Sequence, residues 1–349
     1  MEPSSRILVV RLSALGDVIL AQPALTALRT HLPEAKISWL VEERFANVAK
    51  NVSGIHIIGV RKPKHPLDYF RLWKLLGRER YDVILAMQAS WRVNLLYAGL
   101  RAPRKIGYDR RRARDRQGLF INESIARRDG HLLEGFGQFA AALGATPEVT
   151  PLWPGWPLQT VAHWWDTLRL NGPYVVVHTG ASKPERCWPA YRYGELAARF
   201  AINPGLPVVL TGGLSPQERA CAVAFRTECP RALDLTGKTS LDQLRIMLAR
   251  AAVVVSPDTA AVHLARANEV PVVGLYAVAR SALTGPYHKT GYTIDRYAEA
   301  VQRYAHKDPA TVDWHFRVHH PDAMTLIEAP QVWSMIEKAL IEHARSSQL

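Results

Sequence analysis

The chain has 349 residues, long for one hydrophobic core and suited to two domains of roughly 150 residues each. Hydrophobic residues at 48% against 21% charged exclude a disordered chain, and the formal net charge of +13 points to polyanionic partners: nucleic acid, acidic phospholipid or a phosphorylated glycolipid. Cys187, Cys221 and Cys229 form no CxxC pair and leave an odd count, which argues against a disulfide framework or zinc ribbon and for a reducing cytosol.

Residues 6–10 (RILVV) read as a buried parallel strand, being short, unalternating and rich in branched side chains. Glu2 and Arg11 bracket this run, so it lacks the basic start and long apolar stretch of a signal peptide. No later segment offers the ~18 uncharged apolar residues of a membrane span. The loop LSALGD follows, then a helix over residues 18–31. KISWLV (36–41) and YDVILAM (81–87) are further strands, so this half reads as a doubly wound α/β unit. Pro and Gly crowd PEVTPLWPGWPL at 147–158, which places the linker there, with a connecting helix over 163–170. The pattern restarts with YVVVH (174–178), PVVL (207–210), AVVVS (252–256) and PVVGLY (271–276). An amphipathic helix over 330–343 closes the chain and is expected to pack back on the first domain. The expected division is 1–155 joined by 330–349, and 156–329.

Open α/β sheets bind ligands at the carboxyl ends of their strands, so the strand-to-helix loops hold the candidate residues. In LSALGD, Asp17 stands at a helix start, where it serves either as a helix cap or as a carboxylate presented for general-base work. The loop is neither GxGxxG nor GxxxxGK[ST], which weakens dinucleotide and Walker-type readings. HTGASKPERCWP (178–189) gathers Thr179, Ser182, Lys183 and Arg186 in one turn-rich loop, either a solvated basic loop or a phosphate cradle. In SPDTAAVHLA (256–265), Asp258, Thr259, Ala260 and Ala261 form a slim first helical turn suited to a diphosphate, while His263 reads more readily as a structural histidine. Asp258 itself would repel phosphate, so it is expected to meet sugar hydroxyls or to orient Lys183 or Arg186. The run RAPRKIGYDRRRARDR (101–116) is a solvated face, a nucleic-acid arm or a phosphate site; Arg suits bidentate phosphate binding. There is no DxD, HExxH or paired His/Cys spacing, so no required metal and no cofactor is expected.

RILVVRLSALGDVILAQPALTALR, HTGASKPERCWP, LTGGLSPQERA and LTGKTSLDQLRIMLARAAVVVSPDTAAVHLARANEVPVVGLY together resemble the lipopolysaccharide heptosyltransferase family, glycosyltransferase family 9, in the same order over roughly residues 6–290. The resemblance implies a GT-B fold, two Rossmann-like doubly wound domains facing across a cleft. It implies an ADP-heptose co-substrate held mainly by the second domain, and an acceptor on the Kdo–lipid A side held by the first. It also implies inversion at the anomeric carbon without metal, with Asp17 as catalytic base. By the same resemblance Thr179, Ser182, Lys183, Arg186, Asp258, Thr259, Ala260, Ala261 and His263 are donor-site positions, Glu218 a candidate for ribose and the backbone at Thr239 for adenine. The sequence departs from the family where Arg186 stands for its usual Lys before Trp-Pro, and where Ala260 follows Asp258-Thr259 in place of Gly. The stretch 87–120 looks most like the heptosyltransferase I branch acting on phosphorylated Kdo, for which Arg110, Arg111, Arg112 and Arg114 are the acceptor candidates. These features imply a cytoplasmic enzyme, peripheral at the inner face of the inner membrane. The rivals are a GT-B transferase with another sugar or acceptor, and a basic nucleic-acid-binding module. The second leaves both donor-type loops unexplained, so no nucleic-acid partner is expected.

Overall fold

The computed structural model describes residues 5–146, 161–170, 172–288 and 291–346. Its contacts divide the chain into two compact units, Met1–Pro151 and Leu152–Leu349. The expected linker at 147–158 lies outside the described residues.

In the first unit the elements run β1 (Arg6–Val10), α1 (Leu15–His31), β2 (Lys36–Glu42), α2 (Ala46–Ala49), β3 (His56–Val60), α3 (Pro66–Leu76), β4 (Val83–Leu85), α4 (Trp91–Ala98), β5 (Arg104–Gly107), β6 (Glu123–Ser124) and α5 (Leu132–Ala141). The strands form a parallel sheet in the order β3-β2-β1-β4-β5-β6, with Ile7 paired to both Ile37 and Val83. Order reverses between β1 and β4, so the loops after these two strands part there and leave a crevice at their carboxyl ends. Branched side chains fill both faces of β1, where Ile7 to Val10 are all fully buried. One face is closed by Leu72 and Leu76 of α3 and Val93, Leu96 and Tyr97 of α4 against Leu8, Val10 and Ile84. Helix α1 packs along α5.

The second unit runs α6 (Ala162–Thr167), β7 (Val175–His178), α7 (Ala190–Ala201), β8 (Val208–Thr211), α8 (Pro216–Glu228), β9 (Leu233–Asp234), α9 (Leu241–Ala249), β10 (Val253–Pro257), α10 (Ala260–Arg266), β11 (Val272–Tyr276), α11 (Ser281–Thr284), β12 (Ile294–Asp295), α12 (Tyr297–Ala305) and α13 (Ala329–Ser346). Its sheet is also parallel, ordered β12-β11-β10-β7-β8-β9, with the reversal between β7 and β10.

Helix α13 is grouped with the second unit, where it contacts α7, β10 and β11. Its Val332, Ile336 and Ala339 are fully buried in the core that also holds Phe200, Val255 and Val273. Trp333 meets Phe200 edge to face at 5.1 Å between ring centroids. Burying Val332 and Ile336 contributes about 1.5–3 kcal/mol each, so the 3.6-residue stripe that predicts this helix is the face it buries.

Candidate active site

In the first unit, Asp17 is the third residue of α1 and its carboxylate reaches back to the helix start. Asp17 Oδ2 accepts the backbone N–H of Ala14 at 2.9 Å and pairs with the Arg11 guanidinium. The N-cap residue is Ala14, and Asp17 at the third helical position holds its N–H instead of capping the helix itself; Oδ2 takes both contacts and the side chain keeps 23% of its surface exposed. Arg11 sits one residue beyond β1, donates to the Met87 carbonyl at 2.7 Å and lies over the Phe136 ring at 5.1 Å. Burial opposes its charge, yet Asp17 beside it holds its pKa above the ordinary arginine value. Gln88, on the loop after β4, accepts the Leu12 N–H at 2.8 Å and ties the two loops of the crevice together. The Tyr108 hydroxyl donates to Met87 O at 3.0 Å, and burial pushes its pKa up to about 12, so it stays protonated. The pairing of Arg11 with Asp17 escaped the sequence reading. The signal was an arginine breaking an otherwise apolar strand exit.

The arginine run forms the loop after β5, and its members diverge. Arg110, Arg111 and Arg114 are exposed. Arg112 turns inward: it pairs with Asp109 and donates to Gln138 Oε1 at 2.9 Å and to Ala126 O at 2.6 Å. Arg110 and Arg116 line a cavity of about 750 Å³ with Tyr108, Leu119 and Ile121.

In the second unit, the loops after the adjacent strands β10, β7, β8 and β9 converge on the remaining candidates. The Thr179 hydroxyl donates to Thr211 O at 3.2 Å and is buried. Ser182 and Lys183 are exposed on the same loop, which ends in a single 3-10 turn at Pro184–Arg186. That turn aims Arg186 at Asp258, 3.1 Å away, with side chains only 12% and 10% exposed. Asp258 therefore orients Arg186, one of its two expected roles. The Arg186 Nε is buried and has no hydrogen-bond partner among the described residues. Thr259 caps α10 by accepting the Ala261 N–H at 3.0 Å, and Ala260 remains partly exposed beside it. His263 is buried in α10, in keeping with a structural histidine.

Glu218 closes a capping box with Ser215 and accepts the Gly213 N–H at 2.6 Å and the Ser215 N–H at 3.0 Å. Burial raises its pKa, but these bonds outweigh burial and hold it below the usual carboxylate value. A Cβ at Gly180 would fall 2.0 Å from Glu218 Oε1, so the loop after β7 touches this carboxylate only because that residue is glycine. Thr239, partly exposed, precedes the Ser240 cap of α9. His178 contacts Thr211 Oγ1 at 3.0 Å, and burial lowers its pKa to about 4. No group of three His, Cys, Asp or Glu among the described residues is placed to hold a metal ion.

A sequence profile for Glycosyltransferase family 9 (heptosyltransferase) matches residues 69–308. The chain belongs to this family. It is 27% identical to lipopolysaccharide core heptosyltransferase OpsX of Haemophilus influenzae over 97% of both chains. It is 29% identical to lipopolysaccharide heptosyltransferase 1 of Escherichia coli K12, over 81% of this chain and 91% of that one. The solved E. coli heptosyltransferase WaaC with ADP superposes with a TM-score of 0.70 at 24% identity, covering 96% of this chain and 99% of that one. Heptosyltransferases 2 and 3 match as well, so the similarity identifies the family and not a branch. The two parallel six-stranded sheets are those of the GT-B heptosyltransferases, and this family member is a glycosyltransferase.

Proposed function

We propose that the enzyme transfers heptose from ADP-heptose to the inner core of lipopolysaccharide, onto a phosphorylated Kdo of lipid A, with inversion and without a metal. The observation that carries the donor half is Arg186, whose buried Nε lacks an acceptor among the described residues while Asp258 pairs with its guanidinium at 3.1 Å. An unpartnered buried donor costs free energy, and a diphosphate oxygen supplies the missing acceptor. Ser182, Lys183 and the first turn of α10 lie on loops that emerge from β7 and its neighbour β10.

The acceptor hydroxyl attacks the anomeric carbon as the bond from that carbon to the ADP oxygen breaks, its electron pair leaving with ADP. The acceptor proton passes to Asp17. Because Ala14 and Arg11 both hold Oδ2, Oδ1 is the oxygen left to receive it. Arg186 and Lys183 neutralise charge on the departing diphosphate as an oxocarbenium-like sugar forms. On the acceptor side, Arg110, Arg111 and Arg114 are the phosphate ligands, Arg112 being taken up by the fold. The same basic loop suits an enzyme peripheral at the cytoplasmic face of the inner membrane. The test is release of the donor's nucleoside diphosphate (ADP, UDP or GDP) across a panel of nucleotide sugars, with deacylated Kdo–lipid A as acceptor. ADP-heptose should turn over fastest. A faster UDP- or GDP-sugar would assign the site to another donor.

A further inference from the structure

Helix α3 presents two unlike faces. Inward, Leu72 and Leu76 are buried, and Trp73 donates its indole N–H to Leu96 O of α4 at 2.9 Å. Outward, Leu67, Phe70, Arg71 and Lys74 fall at i, i+3, i+4 and i+7 and form one stripe. Leu67 is 67% exposed and Phe70 62%, with Leu75 beside them at 45%. The Tyr69 hydroxyl donates to Arg92 O at 3.0 Å, which joins this stripe to the start of α4, where Trp91 is 52% exposed. Trp91 N–H in turn donates to Asp115 of the arginine loop at 2.8 Å. These segments leave the carboxyl ends of β3, β4 and β5, the edge of the sheet from which Asp17 also emerges.

Four large apolar side chains are therefore offered to solvent at one edge of the unit. Exposed Lys64, Arg71, Lys74, Arg78 and Arg92 surround them, against the acids Asp68 and Glu79. The Asp68 carboxylate is turned back to accept the N–H groups of Lys64 and His65. Scattered exposed apolar residues need no explanation, but a run at helical spacing ringed by cations does. Nucleic acid would use the cations and leave Leu67 and Phe70 in water. An anionic bilayer satisfies both: apolar tips enter the boundary between headgroups and acyl chains, while Arg and Lys reach the phosphates.

We propose that the first unit docks on an anionic phospholipid bilayer through the outward stripe of α3 and the adjoining Trp91. This names the surface for the membrane partner of the proposed function and rests on that reading. The docking edge is also the edge that carries Asp17, so a lipid-anchored acceptor would stand beside the base.

The experiment is co-sedimentation of the full chain with vesicles of phosphatidylcholine alone or mixed with phosphatidylglycerol, at low and raised salt. The wild type should pellet with the mixed vesicles at low salt and remain in solution with phosphatidylcholine. Leu67→Ser/Phe70→Ser should weaken binding by about tenfold or more. Arg71→Glu/Lys74→Glu should lose at least about fivefold per charge and weaken the salt dependence. Ile202→Ser/Val223→Ser, at positions 72% and 66% exposed on the second unit, should bind as wild type. Thermal melts should match for all four proteins, since each altered side chain is exposed. The proposal is overturned if wild type ignores mixed vesicles or if Leu67→Ser/Phe70→Ser binds them unchanged. It is also overturned if the pair instead abolishes a dimer seen by light scattering, which would assign the stripe to a second copy. The vesicles carry no sugar acceptor, so failure here leaves the transferase reading standing, and ADP release with the deacylated acceptor tests that reading separately.

Discussion

Removing the Asp258 carboxylate tests the Arg186 pair. In Asp258→Ala, the Arg186 guanidinium, 12% exposed with Asp258 in place, loses its 3.1 Å partner, and its Nε already has none among the described residues. Breaking a buried pair from one side costs about 3–5 kcal/mol. The residual exposure favours the lower end, about 3 kcal/mol, or roughly 6–12 °C in melting temperature for a unit of this size. Arg186→Met/Asp258→Leu removes both charges and should return stability to within about 1 kcal/mol of wild type. ADP affinity should not return with it, because a charge-assisted hydrogen bond to phosphate is worth about 1.5–3 kcal/mol, a loss of roughly tenfold or more. Calorimetric melts and ADP titrations of the three proteins supply the numbers. A double variant as unstable as Asp258→Ala, or one that binds ADP like wild type, would refute the reasoning.

Other outcomes follow from the same geometry. Arg11→Lys keeps the charge but loses the fork that holds Asp17 and Met87 O together; kcat should fall about tenfold or more with ADP affinity unchanged, read by steady-state kinetics and titration. His178, near Glu218 and Thr211, has its pKa lowered from 6.5 to about 4. The unfolded chain therefore binds that proton first, so stability is complete above pH 6.5 and is lost as pH falls toward 4, by up to about 3 kcal/mol before its partial exposure is discounted. Melts of His178→Asn against pH should lack that contribution. Arg112→Ala should lower the melting temperature through loss of its Asp109, Gln138 and Ala126 contacts, whereas Arg114→Ala should leave it unchanged and raise KM for a phosphorylated acceptor.

The long central strands were legible because β1, β7, β10 and β11 are buried on both faces and therefore continuously apolar. The strands β6, β9 and β12 are two residues each, and they owe their state to a neighbour in the sheet rather than to their own composition. Arg11 was seen only as a break in a hydrophobic run, because the chemistry that justifies its burial lies in Asp17 and Met87, brought together by folding. Within the arginine run, the inward member was betrayed by Asp109 three residues before Arg112, a local pair that sequence spacing permits but does not compel. Glu218 carried the Ser-x-x-Glu signature of a capping box, but its closeness to Gly180 is set by the fold and has no sequence signal. The placement of α13 depended on which core offered a matching groove, which no single helix encodes.

The central claim is that Asp17 takes the acceptor proton in heptose transfer, and one comparison tests it most directly. ADP release from ADP-heptose is measured with deacylated Kdo–lipid A, with and without the Kdo phosphate, for wild type and Asp17→Asn. The account predicts acceptor-dependent release by wild type, faster with the phosphate present, and a fall of about 10²–10⁴-fold in Asp17→Asn with ADP binding intact. Wild-type turnover by a folded Asp17→Asn enzyme would contradict it.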